Sequence, residues 1–159
     1  MNRKKVYIAL SADSLHHAHI NLIKKGLNYG EIIIGLLTDK AIASRKRIPL
    51  LSFGERKIIL ENIKGVAKVI PQNEWDYSVN ILKIKPDFMI HGDDWTKGPE
   101  LNLRNRALKA LKKIGGKLIE IPYTTGISST ALAEAQTRLG ITSDLRIKSL
   151  KRSLSSKPL

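Results

Sequence analysis

Five short runs rich in β-branched and aliphatic residues punctuate the chain, at residues 6–10, 32–37, 67–70, 87–90 and 117–121. Each has the length of a buried strand rather than of a helix. Between them the apolar spacing changes to that of helices. Residues 20–26 form the first; residues 52–63 form the second, opened by Ser52 and Glu55 at the separation of a capping box. A third over 75–85 is stopped by Pro86, a fourth over 99–114 lies between Pro99 and Gly115-Gly116, and a fifth over 131–139 follows a cluster of hydroxyls. Strands that alternate with helices predict an α/β fold, a Rossmann-like five-stranded parallel sheet with helices on both faces. Right-handed crossovers gather the loops after the strands on one edge, and ligands bind there where strand order reverses.

Three polar segments fall at that edge. The first, Ser11-Ala12-Asp13-Ser14-Leu15-His16-His17-Ala18-His19, opens a helix with two imidazoles at i and i+3. A helix N-terminus attracts phosphate through its free N–H groups, and imidazoles there can donate to oxygens that gain charge during phosphoryl or nucleotidyl transfer. The same spacing also serves a capped, solvated helix start. The second, His91-Gly92-Asp93-Asp94-Trp95, sets two carboxylates beside an indole; they can accept from an exocyclic amine or hold hydrated Mg²⁺, or form an Asx turn under an aromatic lid. The third, Tyr123-Thr124-Thr125-Gly126-Ile127-Ser128-Ser129-Thr130, offers three hydroxyls at a helix start, where one suffices for capping and the rest can meet phosphate. Lys46, Arg47 and Arg56 can bring positive charge over a triphosphate, or lie on the surface.

Composition narrows the class. With 159 residues, 42% hydrophobic content and only two tryptophans and two phenylalanines, the chain builds one aliphatic core. No apolar run reaches membrane-spanning length and the N-terminus lacks a signal-peptide core, so a cytoplasmic protein without a membrane partner is expected. Cysteine is absent, which removes disulfides and thiolate chemistry. The net charge of +14 points to an anionic partner, nucleic acid or a phosphate-rich small molecule. The excess lies towards the C-terminus, with Arg104, Arg106, Lys109, Lys112 and Lys113 on one helical stretch that also reads as a solvated face. A nucleic-acid-binding module would leave the three polar segments without a role and lacks aromatic platforms, so no nucleic-acid partner is expected.

Together these segments resemble the nucleotidyltransferase superfamily marked by an H-x-G-H motif and an I-S-S/T-T motif. Ser11-Ala12-Asp13, residues 35–43, Glu55-Arg56-Lys57, residues 61–66, residues 91–95 and residues 122–130 further resemble the cytidylyltransferase domain joined to phosphoenolpyruvate mutase in phosphonate biosynthesis. Glycerol-3-phosphate cytidylyltransferase is the next relative by resemblance, and adenylyltransferases share the superfamily.

The resemblance implies attack by a phosphate or phosphonate oxygen on the α-phosphorus of CTP, with release of pyrophosphate and no covalent intermediate. It assigns catalysis to His16, His19 and Lys46. It assigns nucleotide binding to Ser11, Ala12, Asp93, Asp94, Trp95, Ile127, Ser128, Ser129 and Thr130, and acceptor contacts to Arg56 and Tyr123. Mg²⁺ is implied as a cofactor carried mainly by the CTP phosphates, with no metal ligand from the protein. Two departures stand out: Ala18 replaces the motif glycine, which can crowd the nucleotide, and Tyr123 replaces the arginine of the glycerol-phosphate enzymes. The second argues against glycerol 3-phosphate and favours a small phosphonate such as 2-hydroxyethylphosphonate, within a partner class of small phosphonates or phosphomonoesters; the first admits a catalytically silent domain. Residues 1–142 are expected to form the catalytic domain. Residues 143–159 are expected as a C-terminal helix or linker, leading to a homodimer contact or a fused mutase domain.

Overall fold

The computed structural model describes residues 3–122 and 124–139, together with Lys148 and Lys151. Five parallel strands, Lys5–Leu10 (β1), Glu31–Leu37 (β2), Val66–Gln72 (β3), Phe88–Gly92 (β4) and Lys117–Ile121 (β5), form one sheet in the order β3-β2-β1-β4-β5. The central strands β1 and β2 are buried beyond their first residue because both faces are covered, which is why their sequences read as unbroken apolar runs.

Alternate residues divide between two cores. Val6, Ile8 and Leu10 join Ile32, Ile34, Leu36, Ile23 and Leu60 on one face, under the helices His17–Leu27 (α1) and Phe53–Glu61 (α3). Tyr7, Ala9 and Ile33 join Ile81, Ala107, Ala110 and Leu111 on the other, under Ser78–Ile84 (α4) and Leu101–Ile114 (α5). Gly35 is required where β2 passes Tyr7: a Cβ there would meet the ring, with Cε2 at 2.7 Å. A short helix, Asp39–Ala43 (α2), and a last helix, Ser129–Arg138 (α6), complete the edge where the strands end.

The structure shifts the bounds of several expected elements. The first helix starts at His17, so the histidines belong to its opening turn. The third strand continues to Gln72, because the exposed Pro71 is tolerated on an edge strand. The third helix begins only at Ser78, leaving Trp75 and Tyr77 in a turn that packs into the core. A 3₁₀ turn over Gly98–Glu100 precedes α5. α2 was not anticipated in the sequence, and the C-terminal helix expected over 143–159 lies, Lys148 and Lys151 apart, outside the described residues. Among the described residues no helix is long and apolar enough to cross a membrane.

Candidate functional site

Strand order reverses between β1 and β4, and a cleft of 260 Å³ opens there. It is bordered by Ser11, His16, Ala18, His19, Lys46, Asp94, Ser128, Ser129 and Thr130, so residues from all three polar segments meet in one place. Across Ser11, Lys46, Ser129 and Thr130 the cleft continues into a second hollow of 580 Å³, flanked by Arg47 and Arg138.

Two helix N-termini converge on this space. His16 is the N-cap of α1, and its N–H donates to His19 Nδ1 at 3.3 Å. That bond assigns the His19 proton to Nε2, the edge of the ring left for a ligand. Burial pushes the His19 pKa down to about 4, and the charge of His16 pushes it the same way. Burial, and then His17, also lowers His16. Both imidazoles are therefore neutral at pH 7.

At the second N-terminus, Ser128 Oγ caps α6 by accepting from Ala131 N–H at 3.0 Å. Ser129 Oγ donates to the Ser14 carbonyl at 3.2 Å and lies 3.5 Å from His16 Nε2, joining the loop after β1 to α6. The buried Ser14 Oγ and His16 Nδ1 have no hydrogen-bond partner among the described residues. Buried polar atoms without partners are rare in folded proteins, and His16 borders the cleft.

Lys46 projects from an exposed stretch, its Nζ 5.1 Å from the centre of the Trp75 ring. Its loop is anchored by two buried residues. Asp13 accepts from Leu50 and Leu51 N–H at 2.6 and 3.2 Å and pairs with Arg47 at 2.6 Å. Arg56, fully buried, donates to the carbonyls of Leu51, Ser11 and Leu37 at 3.0, 2.5 and 2.8 Å and to Asp39 at 2.6 Å.

These contacts correct the acceptor role expected of Arg56. Its guanidinium is consumed by the loops after β1 and β2, so it borders neither cleft and holds the site's frame instead. Trp95 is 1% exposed and does not line the cleft either; its Nε1–H donates to Glu120 at 2.8 Å while Arg104 holds the same carboxylate at 2.7 and 2.9 Å. The Arg104 guanidinium beside it holds the Glu120 pKa below the usual carboxylate range. Trp95 acts on the cleft through His91, which stacks on it at 3.7 Å and 10°.

Ala12 turns its methyl into the core at a φ of 50°, a left-handed conformation that leaves only its backbone near the site. Asp93 and Ile127 do not border the cleft, and Tyr123 lies outside the described residues. Sequence reasoning overlooked Trp75, Tyr77 and Glu100, and gave His91 and Thr124, which lie in the second and third polar segments, no role of their own; all five line the cleft. For His91 a signal existed: strand alternation puts it on the same face as Met89, facing Tyr77 and Trp95.

Residues 11–135 match the cytidylyltransferase-like family. Over 131 residues the chain is 33% identical to glycerol-3-phosphate cytidylyltransferase of Bacillus spizizenii, covering 81% of this chain and 94% of that protein. It is 27% identical to ethanolamine-phosphate cytidylyltransferase of Arabidopsis thaliana, over 79% of this chain and 30% of that one. Among solved structures, a lipopolysaccharide core biosynthesis protein from Thermoplasma volcanium shares the fold with a TM-score of 0.66 at 24% identity, covering 77% of this chain and 99% of its own.

Proposed function

The chain belongs to the cytidylyltransferase-like family and is a CTP-dependent nucleotidyltransferase, and from that premise we propose that it transfers CMP to the phosphate of a small phosphorylated alcohol. An acceptor phosphate oxygen attacks the α-phosphorus of CTP. The new P–O bond forms as the bond from the α-phosphorus to the bridging oxygen breaks, and pyrophosphate leaves with that electron pair. The observation that carries the reading is the junction of His16 and His19 with Ser129, where two helix N-termini face one cleft.

In this account His19 donates from Nε2 to an oxygen that gains charge in the transition state, and His16 does the same from the N-cap. Both rings start neutral, each donates its one N–H to phosphate, and the arriving negative charge raises its pKa. Preorganised donors of this kind lower the barrier because they need no reorientation when charge develops. Lys46 steers the α-phosphate and the acceptor. Ser128, Ser129 and Thr130 hold the β- and γ-phosphates, with Arg47 and Arg138 along the second hollow where pyrophosphate departs. The nucleoside lies beside α1, against Ala18, Gly92, Pro122 and Thr124.

Among the described residues no cluster of three His, Asp or Glu is placed to hold a metal ion. Mg²⁺ on this reading takes its oxygens from phosphate and water, as that ion commonly does, and screens the triphosphate.

The relatives named above act on glycerol 3-phosphate and ethanolamine phosphate, which supports a phosphomonoester acceptor. The phosphonate acceptor, the mutase fusion and the homodimer rest on the sequence resemblance alone. Pyrophosphate release measured with each of the four nucleoside triphosphates, with and without acceptor, tests the proposal. Release should require CTP and acceptor together; equal release with ATP would reassign the chain to adenylyl transfer.

A further inference from the structure

Three polar side chains behind the sheet, Tyr7, Gln72 and Asn80, border neither the cleft nor the second hollow. Tyr7 is fully buried and Gln72 is 2% exposed. Gln72 Oε1 accepts from the Tyr7 hydroxyl and from Asn80 Nδ2, the latter at 2.7 Å. Gln72 Nε2 donates to the carbonyls of Glu74 and Asp76 at 2.6 and 3.1 Å. Two lone pairs and two N–H groups are all that a carboxamide offers, so this one is saturated. Burial pushes the Tyr7 pKa up, and its hydroxyl keeps the proton that it donates. Asn80 Nδ2 is held in turn by the Pro71 carbonyl at 3.0 Å. Burying an amide is unfavourable unless each of its groups is paired, and a fully paired network specifies a single arrangement.

That arrangement leads to the cleft. The two carbonyls that Gln72 clamps flank Trp75, which is 8% exposed and lines the cleft. Trp75 Nε1–H donates to the Ala41 carbonyl of α2 at 2.7 Å. The backbone carbonyl of Gln72 accepts from the N–H of Thr38, the N-cap of α2, at 3.0 Å. Gln72 thus holds α2 at its start directly and at Ala41 through the indole. Lys46 leaves the far end of α2, its N–H donating to the Ile42 carbonyl at 2.9 Å, and its Nζ stands 5.1 Å from the centre of the Trp75 ring.

We infer that Gln72, clamped by Tyr7 and Asn80, is a positioning residue for the transfer: it sets Trp75, and through Trp75 and α2 it sets Lys46 in the cleft. The inference rests on the cytidylyl-transfer reading, in which Lys46 meets the α-phosphate. It gives a buried tyrosine and two amides, none of which touches substrate, a part in the rate.

The test uses the full chain. Tyr7→Phe and, separately, Asn80→Ala each remove one donor to Gln72 Oε1, and each should lower kcat/KM by about 10-fold while thermal melts stay cooperative. Gln72→Glu keeps the shape but turns a carboxylate oxygen towards two carbonyls, and should cost up to about 100-fold. The deciding measurement repeats Tyr7→Phe and Asn80→Ala in a Lys46→Ala background. If the cluster acts through Lys46, each now changes kcat/KM by less than about twofold, the scatter of independent sites. A 10-fold loss in both backgrounds would mean general loosening and overturns the inference. So do single variants within about twofold of wild type.

A second readout needs no turnover. The two tryptophans of the chain give two indole N–H signals by NMR, and Trp75→Phe assigns them. Tyr7→Phe should speed hydrogen exchange at the Trp75 indole by about 10-fold, the worth of one hydrogen bond, and leave Trp95 unchanged. Faster exchange at Trp75 alone, in a chain that turns nothing over, would sink the transferase reading and leave the anchorage of Trp75 standing. Unchanged exchange at Trp75, or equal acceleration at both indoles, overturns the inference.

Discussion

The rings of His16 and His19 lie 4.1 Å apart, one helical turn from each other, and the backbone N–H of His16 closes on Nδ1 of His19. The pair is thus locked by α1 itself, with Nε2 of His19 left as a donor. Replacing His19 by Gln or Ala should cost about 10²- to 10³-fold in kcat, the usual loss for one preorganised donor. Steady-state kinetics check this, and a variant within threefold of wild type would remove His19 from catalysis. His17, exposed on the opposite side of the turn, should tolerate Ala with nearly unchanged rates.

Protonation supplies a second expectation. His19 titrates near pH 4 in the folded chain, below its ordinary value of 6.5. The unfolded chain therefore binds a proton first as pH falls, and the folded state loses stability from about pH 6.5 downwards to about pH 4, not upwards. Thermal melts without nucleotide should show Tm falling through this window, with a shallower fall in His19→Gln. His16 and His91 are shifted in the same direction, so the difference between variant and wild type is the informative quantity. Identical slopes would contradict the burial assigned to His19.

Arg56 makes the third case. Its guanidinium satisfies three carbonyls and Asp39 from a position with no solvent access. Arg56→Met would leave Asp39 and the strand-end carbonyls without their donor, at a cost of about 3 kcal/mol or more in unfolding free energy. Arg56→Lys should rescue little, because one ammonium cannot span the four acceptors that the planar fork reaches. Urea denaturation of both variants measures this; a change under about 0.5 kcal/mol, the range typical of surface sites, would mean that the arginine is not the staple described.

Ala18 borders the cleft within the first turn of α1. If its methyl crowds the nucleotide, Ala18→Gly should lower KM for CTP while costing at most about 1 kcal/mol of helix stability. An unchanged or higher KM would show that the methyl makes ordinary contact with the nucleotide.

Much of this architecture was legible in the sequence because the determining forces are local or periodic. Continuous apolar runs marked β1 and β2, since a parallel strand covered on both faces needs no polar side, and Ser52 with Glu55 marked the start of α3. α2 escaped because five residues show no periodicity, although Thr38 caps it by accepting from Ala41 N–H at 3.2 Å. Arg56 was read as an acceptor contact or a surface cation because charge ordinarily stays in water. Its spacing of four from the fully buried Leu60, while Ile58 and Ile59 are exposed, was the overlooked sign that this arginine faces inward. The α4-side wall was hidden for a different reason. Trp75, Tyr77, His91 and Glu100 come from separate turns and strand ends, and only the packing of α4 and α5 against the sheet brings them together.

The convergence of the three strand-end segments on one cleft makes sense if the product is a CMP ester of the acceptor. Phosphorus NMR of a reaction containing CTP, Mg²⁺ and phosphoethanolamine or glycerol 3-phosphate follows that product directly. The account predicts the paired resonances of a CDP-linked diphosphate growing in step with free pyrophosphate, and neither signal when the acceptor is left out. Pyrophosphate or phosphate released at the same rate without acceptor, with no diphosphate ester formed, would contradict it.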